Sequence, residues 1–289
     1  MKRCLACERT FAAEGWACPG CGREPERRGP CLVFAPELAV GGDGRDADYA
    51  HDAILEGEAR HFWFRSRLKL VEWVLRRHMG TAGSLLEVGC GTGFMLRGLR
   101  TSFPILRFAA TDALLSSLAH AADRLAGVPL YQVDARRIPF REEFDIVAAF
   151  DVIEHIDEDE AALREMSAAL RRGGRLLLTV PQHPWLWSTV DEWSRHRRRY
   201  TRRDLSTKLT NAGLEIAYVT SFSSLMLPLL LLSRRRFTME NFDPAMEIRI
   251  SSAANTVASA ISALERLLIR VGLRFPAGAS LLAVAQRPA

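Results

Sequence analysis

Three groups of residues in this chain have types and spacings that chemistry can use. The first is Leu85-Leu86-Glu87-Val88-Gly89-Cys90-Gly91-Thr92-Gly93, an apolar run that breaks into glycine at every second position. Such a run points to a turn where something approaches too closely for a Cβ, or where φ is positive. The second is Asp151-Val152-Ile153-Glu154-His155. It sets two carboxyls and an imidazole within a few residues, groups suited to acid–base work or to holding a cation. The third is Cys4-x-x-Cys7 followed by Cys18-x-x-Cys21. Two such turns complete a tetrahedral Zn²⁺ site of four thiolates, which is closed and hence structural. So short a module has little core and draws folding energy from its metal. Cys31 lies outside the spacing, and Cys90 sits in the glycine turn as a small residue.

The chain that carries these groups has 289 residues, of which 48% are hydrophobic, and a net charge of +5. This suits one large domain with a small appendage. The basic excess is a mild bias towards anionic partners. Met1-Lys2-Arg3-Cys4 is not followed by an apolar h-region. The longest apolar stretch, Phe222 to Leu232, contains Pro228 and is shorter than the roughly 20 residues of a membrane span. The expected location is the cytoplasm, with a peripheral membrane contact left open. The expected division is a zinc ribbon over 1–24, a Pro/Gly/charge linker over 25–48 and a main domain over 49–289.

Positioning these groups falls to alternating strands and helices. Apolar runs predict strands at 84–89, 107–111, 129–133, 144–150 and 174–180. Helical periodicity predicts helices at 93–102, 114–125, 158–171 and 201–212, with a further helical pattern from Glu56 to His78. Gly173-Gly174 is expected to end the helix before the fifth of these strands. Such alternation means a parallel sheet covered on both faces, with ligands beyond the strands' carboxyl ends. Strand six is expected at 214–222 and a last strand at 279–288. About 55 residues lie between them, including an amphipathic stretch from Ala245 to Val271. The insertion, 223–272, is a candidate substrate cap, dimer face or membrane-surface contact with Arg234, Arg235 and Arg236 at the headgroups.

Two nucleotide fingerprints fail at the glycine run. G-x-G-x-x-G started at Gly89 meets Phe94, and started at Gly91 meets Leu96; no Gly-Lys-Ser/Thr follows for a P-loop. What remains, hydrophobic-hydrophobic-Glu-x-Gly-x-Gly-x-Gly, resembles motif I of class I S-adenosylmethionine-dependent methyltransferases. That resemblance covers about residues 56 to 289 and implies an α/β, Rossmann-like, seven-stranded sheet. It also implies cofactor-binding roles. Glu87, Gly89, Gly91 and Gly93 form the turn; Asp112, with Ala113, meets the ribose; Asp134, with Ala135, meets the adenine amino group; Asp151 lies beside the active site. "HFWFRSR" resembles a segment preceding motif I in a bacterial subset of these enzymes, which makes Arg65 or Arg67 a candidate for the methionine carboxylate.

Methyl transfer from a sulfonium needs positioning and help with deprotonation. The candidate catalytic residues are His155, His183, Asp151 and Glu154. The Asp151/Glu154/His155 segment resembles one that holds a divalent ion in ubiquinone-pathway O-methyltransferases and some RNA 2′-O-methyltransferases, although Asp151 stands where that pattern often has Glu. "VPQHPWLWSTVDEWSRHRRRYT", after strand five, offers His183, Trp185, Trp187, Asp191 and His196 as candidates for substrate contact or general base, its aromatic-basic mixture suiting a partly apolar acceptor bearing anionic groups; the alternative is a lid that packs its tryptophans on the domain. The function expected is O-methylation of a small, partly hydrophobic or lipid-linked acceptor. One alternative is an rRNA or tRNA methyltransferase using the ribbon for RNA, which would account for the basic charge; the arginines of 195–204 are a solvated face or meet an anionic substrate. Another is a non-catalytic, cofactor-binding interaction protein.

Overall fold

The computed structural model describes residues 1–39, 57–78, 80, 82–234 and 250–289. The linker tail and domain start at 40–56, the first residues of the amphipathic stretch (245–249), Arg235, Arg236 and the Arg234 side chain lie outside the described part.

The expected strands form as β5 (Ser84–Val88), β6 (Arg107–Asp112), β7 (Leu130–Gln132), β8 (Phe144–Phe150), β9 (Leu170–Pro181), β10 (Glu215–Phe222) and β11 (Ser280–Gln286). β5 to β9 run parallel, and β11 is antiparallel to both β9 and β10. Pairing runs β10-β11-β9-β8-β5-β6-β7. The chain winds one way from β5 through β7 and the other way from β8, so the order switches between β5 and β8. That is where a ligand crevice forms in such sheets.

Helices cover both faces. α1 (Phe62–His78), α2 (Phe94–Ser102), α3 (Leu115–Arg124) and α8 (Ser252–Arg270) pack with Leu85, Ala110, Ile146 and Leu282 on one side. α4 (Asp159–Ala169) and α6 (Arg202–Asn211) pack with Leu86, Val147, Leu178 and Ala283 on the other. Short α5 (Thr189–Trp193) follows β9, and α7 (Leu227–Arg234) follows β10. α1 keeps Leu70, Val71, Val74 and Leu75 inward and ends in Arg76, Arg77 and His78, the sign its terminal dipole favours.

Two expectations need correction. The helix before β9 ends at Ala169, and Gly173 and Gly174 belong to the strand. Its last carbonyls are met by the Glu142 and Glu143 amides and by the Arg287 guanidinium, so no glycine cap is needed. The linker is also partly sheet. β3 (Glu26–Arg28) and β4 (Cys31–Val33) form a hairpin whose second strand pairs parallel with β7, making nine strands in all. Buried Leu32 and Val33 explain this, since they extend the apolar face of the sheet.

The N-terminal module contains β1 (Lys2–Arg3) and β2 (Thr10–Phe11) and seats firmly on the domain. Trp16 packs on Phe34, Phe140 and Tyr131 with ring centroids 4.7, 5.5 and 5.6 Å away. Arg3 pairs with Glu165 at 2.8 Å. An open cleft of ≈ 790 Å³ lies between Phe11–Ala13 and the strand starts at Arg107–Ala109, at the end of the sheet away from the switch point.

Candidate active site at the carboxyl edge of the sheet

The glycine turn follows β5, and its glycines answer to different neighbours. A Cβ on Gly89, at φ +70°, would lie 2.5 Å from Val152 Cγ2, so the loop after β8 itself demands that glycine. A Cβ on Gly91, at φ +52°, would meet nothing within 4 Å; this glycine borders open space. Gly93, at φ +81°, caps α2 against Leu125 and Ala121. Asp112, ending β6, accepts from the Gly91 amide at 2.8 Å and the Leu114 amide at 3.0 Å. Asp134 follows β7 and is gripped by Arg136, whose Nη2 donates at 2.8 Å. Ala113 is fixed through its carbonyl, which accepts from Gln132 Nε2 at 2.7 Å. Ala135 is partly buried in the same core.

Across the switch point stands Arg67, which is 7% exposed. It pairs with Asp151 and lies 4.2 Å from the Trp63 ring centroid. Asp151 holds φ +56°, and its carboxylate also accepts from Thr179 Oγ1 at 3.2 Å. Arg65 is exposed on another face of α1 and is not part of this group. Glu87 is buried nearby. Burial pushes its carboxyl up to about 8, against the pull of Arg67. Glu87 Oε2 and Arg67 Nε have no hydrogen-bond partner. An acceptor and a donor are thus left open at one end of the crevice.

At the other end, Glu154 is fully buried, and neither of its carboxyl oxygens has a partner. Burial, and then the Asp151 charge, hold this carboxyl well above the usual carboxylate range. Glu154, His155 and His196 bring one ligand atom each within 4.8 Å of one another. Asp151, expected in such a group, is turned to Arg67 instead. His196, in sequence a candidate for substrate contact or general base, reaches this group through α5 and the turn after it. His196 Nδ1 lies 2.8 Å from Asp191 Oδ1. Asp191 is fully buried, and Arg199 donates to it through Nε at 2.7 Å and Nη2 at 2.9 Å. Burial alone would raise the Asp191 carboxyl, but the bonds from His196 and Arg199 hold it below its ordinary value. Asp191 is therefore an orienting group and not a base.

His183 follows β9 with φ +63° and an unpartnered Nε2. Burial and the charge of Arg199 lower its pKa, which favours the neutral ring. The ring lies 5.2 Å from that of Trp185. Trp185 and Trp187 are 60% and 40% exposed, so they rim the region and do not pack beneath it. The arginine run is largely spent internally. Arg197 pairs with Asp157, Arg198 with Asp159 and Arg199 with Asp191.

In the N-terminal module, Cys4, Cys7, Cys18 and Cys21 converge, with Sγ separations of 3.6 Å for Cys4–Cys21 and for Cys7–Cys18. Tetrahedral zinc with Zn–S of about 2.3 Å needs sulfurs about 3.8 Å apart. The donor set and its size fit zinc.

The comparisons with known proteins agree with this architecture. Residues 86–178 match the family model described as "Methyltransferase domain". A "probable S-adenosylmethionine-dependent methyltransferase" of Mycobacterium tuberculosis is 26% identical over 162 residues, 54% of this chain and 57% of that one. A ubiquinone biosynthesis O-methyltransferase of Parvibaculum lavamentivorans is 25% identical over 163 residues, 48% and 61% of the two chains. The chain thus spans less than two thirds of these relatives. A chain of the Haloferax volcanii complex between the Trm112 methyltransferase activator and a methyltransferase superposes with TM-score 0.55 at 18% identity, covering 86% of this chain and 97% of that one. These matches support a class I S-adenosylmethionine-dependent methyltransferase domain in this chain, and the four N-terminal cysteines are compatible with a zinc ribbon.

Proposed function

We propose that this protein transfers the methyl group of S-adenosylmethionine to an oxygen of a small, partly apolar acceptor. The observation that carries the reading is a pair of buried carboxyls near Arg67 at the switch point, Glu87 with one oxygen open and Glu154 with both. A buried carboxyl without a partner is costly. Both are poised for a ligand that brings positive charge, and the cofactor is a sulfonium with an ammonium group.

In this arrangement Glu87 Oε2 would accept from the cofactor's ammonium and Arg67 Nε would donate to its carboxylate. Asp112 accepts from the ribose hydroxyls, with Ala113 beside it. Asp134 and Ala135 meet the adenine edge, and Gly91 leaves the room a side chain would fill. The cofactor supplies the activated methyl group. Neutral His183, with its free Nε2, takes the acceptor's proton as oxygen attacks in line. The exposed Trp185 and Trp187 hold an apolar acceptor surface. Glu154, His155 and His196 suit a divalent ion, with Asp191 fixing His196 from behind. Such an ion lowers the pKa of a bound hydroxyl.

The O-methyltransferase relative supports oxygen as the acceptor atom. The RNA alternative gains little from Arg198 and Arg199, which pair with buried Asp159 and Asp191 within the domain. A transfer assay with labelled cofactor against lipid, small-molecule and RNA fractions tests the reading. Label in the first two supports it; label confined to RNA overturns it.

A further inference from the structure

α8 packs on the domain through Ala258, Ser262, Glu265 and Ile269, spaced by four, three and four residues. Its opposite face is apolar and open. Val257 is 58% exposed, Leu264 52%, Leu267 56% and Val271 73%. These residues recur at the helical period, so they form one stripe. On α7, Leu229 and Leu232 are 52% and 58% exposed. An exposed apolar stripe such as that of α8 marks an interaction site.

The charges bordering the stripe identify the partner. The acid of α8, Glu265, points inward and accepts from the Ser223 and Ser224 amides at 3.0 and 2.5 Å. The carboxyl-terminal end carries Arg266, Arg270 and, just beyond, Arg274, with Arg65 of α1 close by. Burial lowers the Arg266 guanidinium pKa, and the like charges of Arg270 and Arg65 add to this. Among the described residues, a second copy laid α8 on α8 would set arginine against arginine, since Glu265 is turned inward. An anionic lipid surface satisfies both features. The whole chain has a net charge of +5. Among the described residues no helix is long and apolar enough to cross a membrane, so the contact is with its surface.

We propose that the outer face of α8 docks on an anionic membrane surface, with Val257, Leu264, Leu267 and Val271 at the acyl boundary and Arg270 and Arg274 at the headgroups. The test is flotation of the full-length, zinc-loaded protein with phosphatidylcholine vesicles, with and without phosphatidylglycerol. The expected result is flotation with the anionic vesicles only, weakened by salt. Leu264→Glu with Leu267→Glu should abolish it while leaving the melting temperature and S-adenosylhomocysteine affinity unchanged. Arg270→Ser, a milder surface change, should lower the partition coefficient about 5-fold. Failure to float, or a stable dimer by light scattering that Leu267→Glu splits, overturns the proposal. Cofactor affinity is read separately, so failure here leaves the methyltransferase reading standing.

Discussion

Cofactor binding should take a proton off Glu87. In the free protein this carboxyl sits at about 8 because it is buried with one oxygen unpartnered. At pH 7 roughly nine in ten copies are then protonated. An ammonium placed against Oε2 favours the carboxylate and returns the pKa towards the ordinary range of about 4.3. Binding at pH 7 therefore releases about 0.9 proton. The sign follows: the bound state prefers the ionised form, so affinity rises with pH. The dissociation constant for S-adenosylhomocysteine should fall about tenfold per pH unit from 6 to 8 and level off above. Calorimetry in two buffers of different ionisation enthalpy measures the proton directly. Glu87→Gln should flatten the pH profile and remove the buffer dependence. A wild-type dissociation constant unchanged between pH 6 and 8, with equal enthalpies in both buffers, would refute the placement of the ammonium on Glu87.

The glycines should separate by role. Gly89→Ala puts a methyl 2.5 Å from Val152 Cγ2, so overpacking of about 1–3 kcal/mol should lower the melting temperature. Gly91→Ala meets no protein atom within 4 Å, so beyond the backbone strain of a side chain at φ +52° it should lower cofactor affinity by calorimetry. Cys4→Ser with Cys18→Ser should abolish zinc in metal analysis and alter Trp16 fluorescence, since Trp16 is held on Phe34 and Phe140 by the folded module. His183→Ala should cost about 10²–10⁴ in rate with little change in cofactor affinity. The acid limb of the wild-type rate profile should have its midpoint below the ordinary histidine value, because burial and Arg199 lower this pKa. His196→Ala should reduce the activity that EDTA removes and added divalent ion restores.

Much of the fold was legible because its signals are local. Buried strands read as apolar runs, and the ends of β5, β6, β7 and β8 carry Gly89, Asp112, Asp134 and Asp151 as the alternation of elements required. The edge hairpin at 26–33 was missed because each strand is three residues long, too short for a periodicity, and only Cys31–Val33 pairs with the sheet. The end of α4 was misplaced because its cap comes from Glu142, Glu143 and Arg287, remote in sequence. The same limit applies at the site. Whether Arg65 or Arg67 faces the crevice depends on the rotation of α1, and the burial of Leu70, Val71 and Val74 on Arg67's side was the available clue. His196 reaches Glu154 and His155 from far along the chain, held by Asp191 and by the neighbouring Arg197 amide, which donates to the Glu154 carbonyl. The three glycines looked equivalent in sequence, yet two of them answer to Val152 and Leu125.

The central claim is that the switch-point crevice binds the cofactor and delivers its methyl group. Its most direct test is transfer of tritiated methyl from S-adenosylmethionine into fractionated cell extract, run with wild type, Arg67→Ala and Asp112→Ala. The account predicts label in a small-molecule or lipid fraction with wild type, and loss of both labelling and S-adenosylhomocysteine binding in the two variants. Labelling by either variant at the wild-type rate and affinity would contradict it.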